Sequence, residues 1–148
     1  MAVHKNDKYD ITSVSIHPSG TIVAVSDENG TKLCDVCDTQ LAPADWSYDD
    51  KLIDKNGLRL RAVLPTKNAM AMRFSNGGSY LAAAHRNQVH VYNVWTRTLV
   101  VSLRDPIKTV TSISWAPDDT HLNVGCSGGS LNVYRLEAGP RHTTSCTP

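Results

Sequence analysis

The chain reads as all-β: about three four-stranded antiparallel sheets set side by side as the blades of an open arc. Three observations carry that expectation. The first is recurrence. "RFSNGGSYLAAAHRNQVHVYNV", Arg73 to Val94, returns in plan as "SWAPDDTHLNVGCSGGSLNVYRL", Ser114 to Leu136. The offset is about 41 to 42 positions, and a fixed period of this size marks a repeat architecture. The second is a period of two within each copy: Val89 and Val91 alternate with His90 and Tyr92, which is the pattern of a strand. The third is turn chemistry between the runs, Asn-Gly-Gly, Pro-Ser-Gly and Gly-Gly, residues that preset a turn or accept positive φ. Short strands at a spacing of roughly 40 to 45 residues are the arithmetic of β-propeller blades.

A third copy lies upstream, "VSIHPSGTIVAVSDENGTKLCDV", Val14 to Val36, with Ile16 in the place of Phe74 and Trp115. In all three, strand a (Thr12–His17, Met70–Ser75, Thr111–Ala116) is followed by strand b (Ile22–Ser26, Tyr80–Ala84, His121–Cys126) and strand c (Thr31–Val36, Gln88–Val94, Ser130–Leu136). A fourth strand is predicted at Leu99–Leu103, and another at Leu58–Leu64 as the second arm of a hairpin turning at Asn56-Gly57. The blades therefore occupy 10–139, divided as 10–66, 67–106 and 107–139. Residues 37–57 are an insertion, 1–9 an N-terminal segment, and 140–148, with Gly139-Pro140 before it and no apolar period, a polar tail.

Fifteen Lys and Arg offset fourteen Asp and Glu, so a net charge of +1 predicts no general attraction to nucleic acid or to an anionic membrane. "MAVHKNDKYD" lacks the apolar core of a secretory signal, and no apolar run nears the roughly 18 residues of a membrane span. An intracellular chain with its four cysteines reduced is the expectation.

No chemistry-bearing motif survives inspection. Cys34-x-x-Cys37 has a zinc-like spacing, but residues three apart on a strand point to opposite faces, so both are expected to be ordinary thiols. "SNGGS" and "CSGGS" lack the Gly-Lys-Ser/Thr continuation and the helix of a phosphate loop, which leaves turn glycines. His17, His85, His90 and His121 lie in or beside strands, and Asp118-Asp119 is expected to be a solvated turn pair. The prediction is no catalytic residue, no metal and no cofactor. Partner binding is expected on loops at the blade rims, because the strands are committed to the core. The residues singled out are His85, Arg86, Asn87, Arg104, Asp105 and Lys108 on one rim. On the other rim are Trp46, in the insertion, and Trp95, more simply read as covering the blade beneath it.

The pattern "HPSG…GTKLCDV" resembles the WD repeat, with Cys34-Asp35 in the place of the Trp-Asp dipeptide and Tyr92-Asn93 and Tyr134-Arg135 there in the later copies. "VSIHPSG", "FSNGGSYLAAAHRNQVHVY" and "SISWAPDDTHLNVGCSGGSLNVYRLEAG" together resemble the last blades of the second propeller in the cilia- and flagella-associated protein 57 family. The resemblance implies a non-catalytic scaffold on the axoneme of a cilium or flagellum, in the cytoplasm and cytoskeleton. Its implied partners are other axonemal proteins: a propeller or coiled-coil scaffold, inner-arm dynein components, the doublet microtubule. A general WD-repeat peptide-binding module outside cilia is the alternative. This chain departs from the repeat by lacking the Gly-His pair ahead of strand a and, at Gly128, the Asp of the b–c turn. Three blades fall short of the roughly four to eight of a closed ring. The expectation is either a portion of a longer protein or an arc whose end blades dock onto another propeller or wall.

Overall fold

The computed structural model describes residues 10–36, 58–104 and 108–136 in full and the backbone of Arg141–Cys146. All regular elements among the described residues are strands, and they form three four-stranded antiparallel sheets. Blade 1 contains β1 (Ser13–Ile16), β2 (Ile22–Asp27), β3 (Gly30–Val36) and β4 (Leu58–Leu64) in that order. Blade 2 contains β5 (Ala71–Phe74), β6 (Tyr80–His85), β7 (Gln88–Asn93) and β8 (Leu99–Arg104). Blade 3 contains β9 (Val110–Trp115), β10 (His121–Cys126), β11 (Ser130–Arg135) and β12 (Arg141–Cys146). Each blade is a meander, which short turns allow and parallel pairing would not.

One expectation fails. Arg141–Cys146 is not a polar tail but the fourth strand of blade 3, paired with β11 from Leu131↔Cys146 to Arg135↔Arg141. Without it the outer edge of β11 would present unpaired N–H and C=O groups. Backbone pairing and two β-branched threonines suffice to form the strand, so an apolar period is not required.

The blades repeat down to a local irregularity. In each, the third and fourth strands slip register at the same place: Leu33/Cys34, Val91/Tyr92 and Val133/Tyr134. The extra residue sits in the fourth strand each time, and such a bulge increases the local twist.

The period of two buries both faces of blade 2. One face places Ala82, Val91 and Val101 against Ile113, Leu122 and Val124 of blade 3 in a single cluster. The other places Phe74, Leu81 and Tyr92 against Ala24, Leu33 and Leu64 of blade 1 in a second. Leu33, Leu81, Val91 and Leu122 have no exposed surface, and burying each contributes about 1.5–3 kcal/mol. Packing is thus between sheets, with blade 2 as the shared wall.

Several polar groups at the joints are paired, while among the described residues the buried Ser130 Oγ of blade 3 has no hydrogen-bond partner. Trp115 fills the blade 2–3 cluster while its indole Nε1–H donates to the Arg73 carbonyl at 3.1 Å. Trp115→Phe keeps most of the apolar area and leaves that carbonyl without this donor; urea unfolding should record a loss of about 1 kcal/mol. At the blade 1–2 joint Thr31 Oγ1–H donates to the Thr66 carbonyl at 2.7 Å, and the Thr66 hydroxyl lies 2.7 Å from Tyr92 Oη and 2.8 Å from His90 Nδ1.

Candidate interaction rims

The strands carry the cores, so the turns carry what is left for partners. On one rim lie the turns joining first to second strands and third to fourth. His17 closes β1 and is buried, its Nε2 2.8 Å from the Gly78 carbonyl of blade 2 and its Nδ1 2.7 Å from Ser19 Oγ. Its ring stands edge-on to Phe74 and to Trp95. Asp119 of blade 3 reaches the same turn of blade 2 from the other side. Its carboxylate accepts the backbone N–H of Asn76 at 2.8 Å and of Gly77 at 2.7 Å, and Asn76 Nδ2–H at 3.0 Å. The Ser75–Gly78 turn is therefore held from both flanks. Asp119 is not the solvated turn acid expected of it; its left-handed backbone (φ 60°) belongs to a turn facing the neighbouring blade. Asp119→Ala removes three charge-assisted acceptances on a partly exposed group and should cost about 1–2 kcal/mol in thermal or urea unfolding.

Trp95 is 55% exposed and does more than cover its own blade. The Arg61 guanidinium of blade 1 lies over its ring at 5.7 Å from the centroid, and Arg61 also pairs with Asp35 at 3.4 Å. An exposed tryptophan beside an arginine is the composition of a binding hot spot. Trp46 lies outside the described residues, as does Cys37. Cys34 is buried in β3. Among the described residues no three His, Cys, Asp or Glu side chains are grouped to hold a metal.

The opposite rim gathers most of the residues singled out in the sequence. His85, Arg86, Asn87 and Gln88 form the turn from β6 to β7, with Arg86 at φ 55°. Arg104 stands opposite Gln88 at the end of β8. The Arg86 carbonyl accepts the N–H of Val110 at 2.7 Å, which ties the segment containing Lys108 to the same turn. His85 Nδ1 lies 3.1 Å from the Asn68 carbonyl. Arg86 and Arg104 are exposed, and with Lys108 and His85 they make a basic corner over the blade 2–3 joint. Asp105 lies outside the described residues.

His90, next to this corner on β7, has its pKa lowered from the ordinary 6.5, first by burial and second by the nearby His85. The folded chain therefore holds His90 neutral where the unfolded chain binds a proton. Stability should be fully present above the unfolded value and decline as pH falls below about 6.5. Urea unfolding at pH 7.5 and 5.5 should show the decline, and His90→Gln should flatten it; an equal slope in the variant contradicts the assignment.

A third feature is axial. The first strands of the three blades line a groove of about 510 Å³. Its polar wall holds Ser13, Ser15, Thr111 and Ser112, with Arg73 as its cation.

Three meander sheets packed face to face, with one bulge repeated in each, are successive blades of an open β-propeller arc, and the family described as "WD domain, G-beta repeat" matches residues 2–31. The chain is similar to cilia- and flagella-associated protein 57 of Mus musculus, 23% identical over 143 residues that cover 97% of this chain and 10% of the relative. It is similar also to cilia- and flagella-associated protein 57 C of Tetrahymena thermophila, 24% identical over 141 residues, 91% of this chain and 10% of that protein. The chain thus spans about a tenth of the length of the curated relatives it matches.

Proposed function

We propose that this chain is a non-catalytic scaffold element of the ciliary or flagellar axoneme, binding other axonemal proteins through its blade rims. The observation that carries the proposal is the reach of the similarity: 97% of the chain, all three blades, matches a protein named for cilia and flagella. The geometry supports a binding role, since both faces of blade 2 are spent on neighbours and side chains of contact type remain at the rims. The basic corner of His85, Arg86, Asn87, Arg104 and Lys108 fits an acidic surface on a partner; Trp46 and Asp105 complete the set on sequence grounds. Inner-arm dynein components, a coiled-coil or propeller scaffold and the doublet microtubule are the partner classes in view.

The test is the position of a tagged full-length chain in a ciliated cell, alone and as Arg86→Glu/Arg104→Glu. Enrichment along the axoneme, reduced several-fold in the folded double variant, is the expected result. Uniform cytoplasmic signal of the unaltered chain contradicts the axonemal reading and favours a peptide-binding module acting elsewhere.

A further inference from the structure

The axial groove holds a charge that the packing of the blades does not use. Its walls are β1, β5 and residues 111–113 of β9, one stretch from the first strand of each blade. Its volume of about 510 Å³ falls in the range of small-ligand clefts. Arg73 is the one ionisable side chain among the described residues that line it, and no Asp or Glu stands with it. Arg73 is exposed, and no described carboxylate pairs with its guanidinium. The repeat does not ask for a cation here: the counterparts of Arg73 in blades 1 and 3 are Ser15 and Ser114. Arg73 stands on blade 2, which has a neighbour on each face, so its setting does not depend on what lies beyond blades 1 and 3.

The base of this side chain is fixed. The Arg73 carbonyl accepts the Trp115 indole N–H at 3.1 Å, the residue pairs with Ala82 in register, and Met72 and Phe74 on either side are buried. Little backbone ordering is then left for a ligand to impose. Hydroxyls stand on both sides. Ser13 and Ser15 line the groove from β1 and Ser112 from β9, and none of the three is spent on a described partner. β9 also departs from the other first strands. Ser112 pairs with Gly125 and Val110 with Cys126, so Thr111 is an extra residue between them, and the pairings of β1 and β5 have no such bulge. Bulges of this kind re-aim side chains beside sites. Thr111 itself is committed, its Oγ1–H donating to the Gly125 carbonyl at 3.2 Å.

We propose that the axial groove binds a small phosphate ester, its phosphate on the Arg73 guanidinium and its remaining oxygens on the hydroxyls of Ser13, Ser15 and Ser112. A guanidinium fork fits carboxylate and phosphate alike. The serines favour phosphate: the fork alone satisfies a carboxylate, whereas a phosphate offers further acceptor oxygens to the hydroxyl donors. One cation does not make the basic track that a nucleic-acid backbone requires. The inference does not rest on the axonemal reading.

Amide proton–nitrogen spectra of the full chain test it, titrated at fixed ionic strength with inorganic phosphate and with glucose 6-phosphate. Saturable shifts should appear at Ser13–Ile16, Ala71–Phe74 and residues 111–113. Arg73→Gln should raise the Kd of both probes at least about tenfold, and Arg73→Lys, which keeps the charge without the fork, should raise it less. Ser15→Ala/Ser112→Ala should weaken glucose 6-phosphate about 3–10-fold. Arg73 is exposed, so its variants should keep the dispersed spectrum of the unaltered chain. Absence of saturable shifts in the unaltered chain overturns the proposal, as does an unchanged Kd in Arg73→Gln. Shifts that vanish in Arg86→Glu/Arg104→Glu instead would put the anion on the basic corner and overturn it too. Succinate should shift the groove amides less than phosphate does; equal or larger shifts contradict the phosphate assignment.

Discussion

Gly78→Ala is expected to lower stability by about 3 kcal/mol, and about 1–2 kcal/mol of that loss should disappear when His17 is also alanine. A Cβ on residue 78 would lie 2.4 Å from His17 Nε2 and 2.6 Å from Cε1, inside any real contact. The imidazole has little room to retreat, since Ser19 fixes its Nδ1 and Phe74 and Trp95 flank the ring. Residue 78 also has φ 80°, a left-handed backbone that costs an alanine about 1–2 kcal/mol wherever it occurs. The two causes separate in a double-mutant cycle. In the His17→Ala background the clash is gone and Gly78→Ala should cost only the backbone part, about 1–2 kcal/mol. Equal costs in the two backgrounds would show that the blade 1–2 clasp does not exist as described.

Leu81→Ala should be of similar size and reveal which joint each face of blade 2 serves. Leu81 has no exposed surface, and its side chain belongs to the cluster shared with blade 1. Truncating a leucine at such a site costs about 2–5 kcal/mol, depending on how far the cavity collapses. Because the loss falls on one joint, amide exchange should accelerate first in β2 and β3. The strands of blade 3, packed through Val91 and Val101, should keep their protection longer. Val91→Ala should reverse that order. Uniform acceleration across all blades in both variants would mean that the blades do not open as separate units.

The blade plan could be read from the chain because it depends on local signals. Turn glycines, Pro-Ser-Gly and Asn-Gly-Gly, fix where each strand must stop, and alternation around Val89–Val91 fixes its type. The Leu58–Leu64 strand was visible through Asn56-Gly57 and the alternation of Leu58 and Leu60 with Arg59 and Arg61. What escaped depends on contacts far apart in sequence. β12 carries no apolar period, and its reason for forming is the edge of β11. Asp119 sits in a turn that resembles any solvated turn until blade 2 brings two backbone N–H groups to it from positions 43 and 42 residues away. His17 looked like one histidine among several near strands, although Gly78, 61 residues later, was a clue, being a glycine in a tight turn that leaves room for a ring. Arg86, Arg104 and Lys108 stood in the sequence as separate rim positions. Their closeness comes from the Arg86–Val110 hydrogen bond, which no spacing rule announces.

Face-to-face packing of the blades underlies every expectation above, and a nuclear Overhauser spectrum of the folded chain tests it most directly. It should show the His17 ring protons against those of Phe74, whose centroids are 5.2 Å apart, and the Trp115 indole N–H close to Arg73. Sequential amide contacts typical of helix across Tyr80–Leu136, or cross-peaks confined within single blades, would contradict it.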